Sequence, residues 1–85
     1  MASLEIELCG PLADLAGRTI ILCDFAEDGL PASEVLAKIA TAWPLLGSEI
    51  AKARVKLCVD ETIVGGDAVV RPGALVALFP PVSGG

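Results

Sequence analysis

One segment of the chain, residues 33–43, repeats its apolar residues at helical spacing, while the segments around it alternate like strands. The repeating positions lie three or four residues apart and would share one helix face: Val35, Leu36, Ile39, Ala40 and Trp43. Pro44 should end this helix, because the residue before a proline avoids the helical region. A single amphipathic helix must bury its apolar face against another layer, which in a short chain is one sheet. The sequence therefore predicts a two-layer α+β domain.

Two strands are predicted before this helix. Residues 4–9 alternate with period two, which directs Leu4, Ile6 and Leu8 inward and leaves Cys9 on the outer face with the glutamates. A short helical segment at 12–16, stopped by Gly17, leads to a second strand at 18–25.

Further strands are predicted after the helix. Residues 55–59, 62–64, 68–70 and 75–79 are apolar or alternating, and turn-forming residues separate them. In the last of these strands, Val76 and Leu78 should point to one face, and Leu75, Ala77 and Phe79 to the other. The segment 45–53 fits either a loop or a short helix.

Length and composition limit the classes of protein that fit. Eighty-five residues, 54% hydrophobic and 20% charged, predict one packed domain at 1–79 with an extended tail at 80–85. A net charge of −5 argues against nucleic-acid and membrane binding. No secretory signal or membrane span is visible. Three cysteines without CxxC spacing, and no histidine, predict a reduced cytoplasmic protein that holds no metal.

No catalytic constellation is present in the sequence. The absence of histidine excludes Ser-His and Cys-His nucleophiles, and the glycine pairs lack the spacing of a phosphate-binding loop. Asp24, Glu27 and Asp28 are interpreted as a solvated turn cluster rather than an acid/base pair. The cysteines are interpreted as small hydrophobic residues of the strands rather than reactive thiols, and Trp43 as a lid on the core.

The most specific motif follows the last predicted strand and reads Phe79-Pro80-Pro81-Val82-Ser83-Gly84-Gly85. Two prolines stop a sheet and favour an extended segment, and the glycines leave the backbone open to close approach. This string resembles the tail of the small subunit of molybdopterin synthase, in the MoaD/ThiS family of ubiquitin-like sulfur carriers. Residues 9–17 and 59–64 resemble other parts of the same family more loosely.

The resemblance implies a β-grasp (ubiquitin-like) fold, with a mixed sheet of four to five strands on one main helix. It implies that an ATP-dependent enzyme adenylates the carboxylate of Gly85, that a sulfur donor converts it to a thiocarboxylate, and that the sulfur passes to a cyclic pterin precursor. The inserted segment would be Pro80, Pro81, Val82, Ser83 and Gly84, and the docking patch would be Cys9, Ile63 and Phe79. The chain itself would bind no cofactor or metal, and ATP would belong to the activating enzyme. It would be a non-catalytic subunit, in a heterotetramer whose active site lies on the large subunit.

Three departures from the family pattern, and two alternative functions, accompany this hypothesis. The family usually has an aromatic residue in place of Cys9, asparagine in place of Asp60, and an acidic turn in place of residues 71–74. One alternative is a sulfur carrier for another pathway: thiamine synthesis, tRNA thiolation or sulfur amino-acid synthesis. The other is a ubiquitin-like binding module or protein modifier without sulfur chemistry, in which Gly85 could be joined to lysines.

Overall fold

The computed structural model describes residues 2–25, 28–52 and 54–80. The strands are β1 Ala2–Leu8, β2 Ile20–Phe25, β3 Leu30–Pro31, β4 Lys56–Val59, β5 Thr62–Val64, β6 Val69–Val70 and β7 Val76–Phe79. The helices are α1 Pro11–Ala16, α2 Ala32–Ala42 and α3 Pro44–Ala51.

Five of the strands form one mixed sheet in the order β2-β1-β7-β4-β5. β1 and β7 are parallel, with Ile6 opposite Val76, and all other neighbours are antiparallel. The strand that comes last in the chain therefore lies at the centre of the sheet. This is the predicted β-grasp arrangement, with five strands.

The core lies between one face of this sheet and α2. Alternate residues of the strands are buried, as the period-two pattern predicts: Leu4, Ile6 and Leu8 of β1, Ile21 and Cys23 of β2, and Val76 and Leu78 of β7. Val35 and Ile39 of α2 fill the space opposite the strands. Leu36 and Ala40 of α2, and Trp43 directly after it, are partly buried on the same face. The predicted helix face is confirmed.

Residues 45–53, for which the sequence fitted either a loop or a short helix, mostly belong to the helix α3. Leu46 of α3 is fully buried. Gly47 lies so close to α2 that a Cβ there would be 2.9 Å from the carbonyl oxygen of Ala40. Trp43 joins the two helices, and the guanidinium carbon of Arg18 lies 5.9 Å from its ring centroid. α2 and α3 thus both pack over the sheet, whereas the sequence pattern predicted α2 and left residues 45–53 as either a loop or a short helix.

A second, two-stranded sheet was not predicted. It pairs Leu30–Pro31 with Val69–Val70. The amides of Ala32 and Ser33 donate hydrogen bonds to the carbonyl oxygens of Ala68 and Gly66, at 2.7 and 2.9 Å. The small sheet therefore fixes the start of α2, although two residues are too few to show a periodic pattern.

The predicted turn at residues 60–61 has unusual backbone geometry. Asp60 and Glu61 both have positive φ, 49° and 69°. The side-chain Oδ1 of Asp60 accepts a hydrogen bond from the amide of Leu75 at 3.0 Å, and the amide of Asp60 donates to the carbonyl oxygen of Leu75 at 2.8 Å. The β4–β5 turn is thereby joined to the residue before β7. None of the helices in the described ranges is long and apolar enough to cross a membrane.

Candidate functional site

The root of the tail is the end of β7, the central strand of the sheet. β7 has β1 on one side and β4 on the other; Phe79 pairs with Lys56 of β4, and the pairing with β1 ends one residue earlier, at Leu78. Pro80 is the last residue that the structure describes. The other predicted tail residues lie outside the described residues: Pro81, Val82, Ser83, Gly84 and Gly85.

The three residues predicted as a docking patch lie on the face of the sheet that points away from the helices. The amide of Cys9 donates to the carbonyl oxygen of Leu78 at 3.0 Å, and the register that pairs Leu8 with Leu78 places Cys9 beside Phe79. Ile63 lies two strands away on β5 and is 55% exposed. The structure thus brings Cys9 and Phe79 into direct proximity, with Ile63 further along the same face.

Additional apolar residues extend this face, and the sequence analysis did not assign them to the patch. Ile20 and Leu22 of β2 and Leu75, just before β7, are exposed large hydrophobic residues. Ala77 and Cys58 lie opposite one another and connect β7 to β4. We call the whole set the outer sheet face: Cys9, Ile20, Leu22, Cys58, Ile63, Leu75, Ala77 and Phe79. The alternation of the strands gave a signal for most of this set, because every strand member except Ile63 lies next to a buried residue.

Charged residues divide the outer sheet face into two parts. Glu5 and Glu7 lie on β1, and Ser3 Oγ donates a hydrogen bond to Asp24 at 2.9 Å. Lys56 of β4 lies directly opposite Phe79. The carboxylates of β1 thus lie between the apolar residues of β2 and those of β7. An apolar surface crossed by carboxylates, with one cation beside the tail root, has the composition of an interface, where apolar residues bury area and charges select the partner.

Two of the thiols, Cys9 and Cys23, have a raised pKa, which is the opposite of activation. Burial raises the pKa of the Cys9 thiol, and the neighbouring carboxylate of Glu7, whose Oε1 lies 3.9 Å from Sγ, raises it further. Burial also raises the pKa of Cys23, which lies in the core. The prediction that all three cysteines sit inside strands was wrong for Cys9, which follows β1. Cys9 and Cys58 are only partly buried.

The other residues considered from the sequence, the carboxylates of the β2 turn and Trp43, form no catalytic or metal-binding arrangement within the described residues. Asp24 and Asp28 are exposed side chains, and Glu27 lies outside the described residues. No group of three or more histidine, cysteine, aspartate or glutamate side chains within the described ranges is arranged to hold a metal ion. Trp43 is partly exposed and packs against the core, as predicted.

Residues 6–85 match the model of the ThiS family. The chain belongs to the ThiS family of ubiquitin-like sulfur carriers. The match includes both the outer sheet face and the residues of the tail. Members of this family are small and generally non-catalytic. A search of curated protein sequences finds no match to the chain.

Solved structures of archaeal proteins share the fold over essentially the whole chain. The crystal structure of SAMP1 from Haloferax volcanii is 27% identical, with a TM-score of 0.82, and the match covers 99% of this chain and 100% of that one. A Pyrococcus furiosus protein provisionally named molybdopterin converting factor subunit 1 is 19% identical, with a TM-score of 0.81, and coverage of 96% and 100%. Small archaeal modifier protein 1 from Methanosarcina acetivorans is 20% identical, with a TM-score of 0.77, and coverage of 100% and 98%.

Proposed function

We propose that this ThiS-family chain is the sulfur-carrier subunit of molybdopterin synthase and works in the cytoplasm. The observation that carries the proposal is the tail string Phe79-Pro80-Pro81-Val82-Ser83-Gly84-Gly85, which resembles that subunit, at the end of the central strand. The structural similarity to the Pyrococcus furiosus protein supports the fold that this function requires.

The chemistry that we propose takes place on the C-terminal carboxylate. A carboxylate is a poor acyl donor until it carries a good leaving group. In the proposed reaction an ATP-dependent activating enzyme transfers AMP to the carboxylate of Gly85 and releases pyrophosphate. A sulfur donor then displaces AMP, which leaves a thiocarboxylate. The large subunit of the synthase uses this sulfur on a cyclic pterin precursor, so the active site belongs to the partner and this chain binds neither metal nor cofactor.

The residues of the tail suit insertion into a partner. Pro80 and Pro81 restrict the backbone before binding, so less conformational entropy is lost when the tail enters a channel. Gly84 and Gly85 have no side chain to obstruct a narrow channel and can adopt the φ that it requires. We propose that Val82 provides an apolar contact and that Ser83 forms a hydrogen bond with the channel wall.

We propose that the outer sheet face docks on the large subunit and on the activating enzyme. The surface includes Cys9, Ile63 and Phe79, the three residues that the family resemblance implies for docking. Exposed apolar residues that cluster commonly mark interfaces. The net charge of −5 favours partners with basic surfaces. Two copies of each subunit would form the heterotetramer implied by the family resemblance.

A protein modifier is the second candidate function. The similarity to SAMP1 from Haloferax volcanii favours it, because the two chains match along their whole lengths at 27% identity. In that case Gly85 would become linked to a lysine amine of a target protein. Both functions use the same carboxylate, so only the acceptor distinguishes them. Sulfur transfer in another pathway remains the related alternative.

The test is complementation of a bacterial strain that lacks only its molybdopterin synthase small subunit. We expect the intact chain to restore molybdoenzyme activity, and we expect no activity after deletion of Gly85 or addition of one residue beyond it. Both variants should melt at the same temperature as the intact chain, which controls for folding. Activity from the Gly85 deletion would refute the mechanism. A folded intact chain that restores nothing, but becomes linked to lysines in its own host, would favour the modifier.

A further inference from the structure

β2 is an edge strand with free backbone groups facing outward. Within the described residues it is the outermost strand of the five-stranded sheet. The amide of Leu8 donates to the carbonyl oxygen of Thr19 at 2.7 Å, so Thr19 and every second residue after it turn their backbone groups toward β1. The amide and carbonyl groups of Ile20, Leu22 and Asp24 therefore point away from the sheet.

This edge lacks most of the features that usually prevent another strand from adding to it, and its one charged residue, Asp24, lies near its end. Edge strands are commonly kept short, or carry lysine, proline or a bulge. β2 is six residues long, contains no lysine or proline, and pairs with β1 in unbroken register. The opposite edge, β5, has only three residues. An edge of this length and composition is a template for an additional strand.

A groove lies between this edge and α2. Its walls include Ile21 and Cys23 from the strand and Ala37, Lys38, Ala42 and Trp43 from the helix side. Its volume is about 630 Å³, which is within the range of ligand clefts. The inward side chains of an added strand would enter this space. The edge thus offers both main-chain hydrogen bonds and an apolar pocket.

The charged residues are distributed unevenly along the groove, with carboxylates at one end and a cation at the other. Glu34, in the first turn of α2, and Asp24, near the end of β2, line one end. At the other end Arg18 lies over the ring of Trp43, and Lys38 lies between the two ends. A strand that is basic at one terminus and acidic at the other would match this arrangement.

We propose that the edge of β2 binds an extended segment of a partner protein as an additional antiparallel strand. The segment has alternating apolar residues, a basic N-terminal end beside Glu34 and an acidic C-terminal end beside Arg18. Antiparallel pairing is the more stable of the two orientations. A second copy of this chain fits less well, because the inward residues of its β2, Ile21 and Cys23, are already buried in its own core.

This site is separate from the tail and serves a purpose beyond sulfur transfer. α2 and the groove lie on the opposite side of the sheet from Phe79 and the tail root, although Leu22 and Asp24 border both surfaces. A protein held at the β2 edge would leave Gly85 able to react. Substitutions on the helix side of the groove should therefore spare complementation, which separates failure of this proposal from failure of the proposed function.

The probe is the synthetic peptide Lys-Lys-Thr-Val-Thr-Val-Thr-Glu-Glu, titrated into the isotope-labelled full chain and followed by amide chemical shifts. We expect saturable shifts at β2 and α2. Two control peptides replace the central threonine by proline, which has no amide hydrogen to donate to β2, or replace both lysines by glutamate. We expect the first control to lose binding. We expect the second to bind at least fivefold more weakly, because about fivefold is the effect typical of one exposed charge pair and two charges are reversed.

Two variants of the chain test the location. Ala37→Arg places a long side chain in the groove and should weaken binding at least tenfold, while Leu45→Arg, on an exposed position of α3, should bind like the intact chain. Glu34→Lys should reverse the preference between the lysine and glutamate peptides. Absence of saturable shifts, shifts on the outer sheet face, or equal binding by Ala37→Arg would overturn the proposal. A dimer of the chain that Ala37→Arg dissociates would assign the edge to a second copy instead.

Discussion

Replacement of Ile63 by alanine should weaken the proposed large-subunit complex about tenfold. The substitution removes three carbons, which contribute about 2.4 kcal/mol when fully buried, at about 0.8 kcal/mol for each. Ile63 is 55% exposed in the free chain, so about 1.3 kcal/mol of this would be gained only when the partner covers it. That free energy corresponds to about a tenfold change in Kd. The remaining 1.1 kcal/mol or so belongs to the fold and should lower Tm by about 4–8 °C.

Leu45 provides a matched control for this prediction. It is 61% exposed and also loses three carbons in Leu45→Ala, but it lies on α3, on the helix side of the sheet. Its expected loss of folding stability is therefore similar, about 0.9 kcal/mol. Calorimetric titration of each variant with the large subunit that supports complementation, together with thermal unfolding, separates the two effects. Equal weakening by both variants, or unchanged binding by Ile63→Ala, would refute the assignment of the outer sheet face as the docking surface.

Three further predictions concern local structure. Asp60→Ala should lower the free energy of unfolding by about 1–2 kcal/mol, because it removes the hydrogen bond to the Leu75 amide and places alanine at positive φ. Asp60→Asn should unfold at nearly the same denaturant concentration as the intact chain. Gly47→Ala should lower Tm, because its Cβ would meet the Ala40 backbone and overpacking costs about 1–3 kcal/mol. This loss exceeds the gain of about 1 kcal/mol from the higher helix propensity of alanine. A raised Tm would show that α2 and α3 move apart to accept the added methyl group. In a chain whose other cysteines are alanine, the rate at which iodoacetamide alkylates Cys9 should rise with pH, with its midpoint at higher pH than in the urea-unfolded chain. The reason is that the raised pKa keeps the thiol protonated in the folded chain. A midpoint at or below that of the unfolded chain would contradict this assignment of the pKa shift to burial.

The parts of the fold that rest on periodicity could be predicted from the sequence. The alternation of Leu4, Ile6 and Leu8, and of Val76 and Leu78, identified which face each strand buries. The helical spacing that includes Val35 and Ile39 did the same for α2. In each case many residues share one repeat, so the signal accumulates along the element.

Features that depend on tertiary contact could not be predicted in this way. α3 has apolar residues on several sides, and only its packing against α2 at Gly47 shows which of them is buried. β3 has two residues, and one of them is Pro31. For the candidate site, Cys9, Ile63 and Phe79 came from a family resemblance. The larger surface that includes Leu22 and Leu75 required the strand order, since Leu22 lies on β2 and Leu75 just before β7, and β1 separates the two strands.

The central position of β7 determines when the protein can fold during its synthesis. Ile6 pairs with Val76, about seventy residues later in the chain, and β1 and β4 meet only through β7. The sheet therefore cannot close until residues 76–79 have left the ribosome, and pairing across so long a separation is slow. A chain interrupted before Val76 has no finished sheet and no outer face to present. The proposed docking surface is therefore complete only in molecules whose translation has already reached the residues leading into the tail.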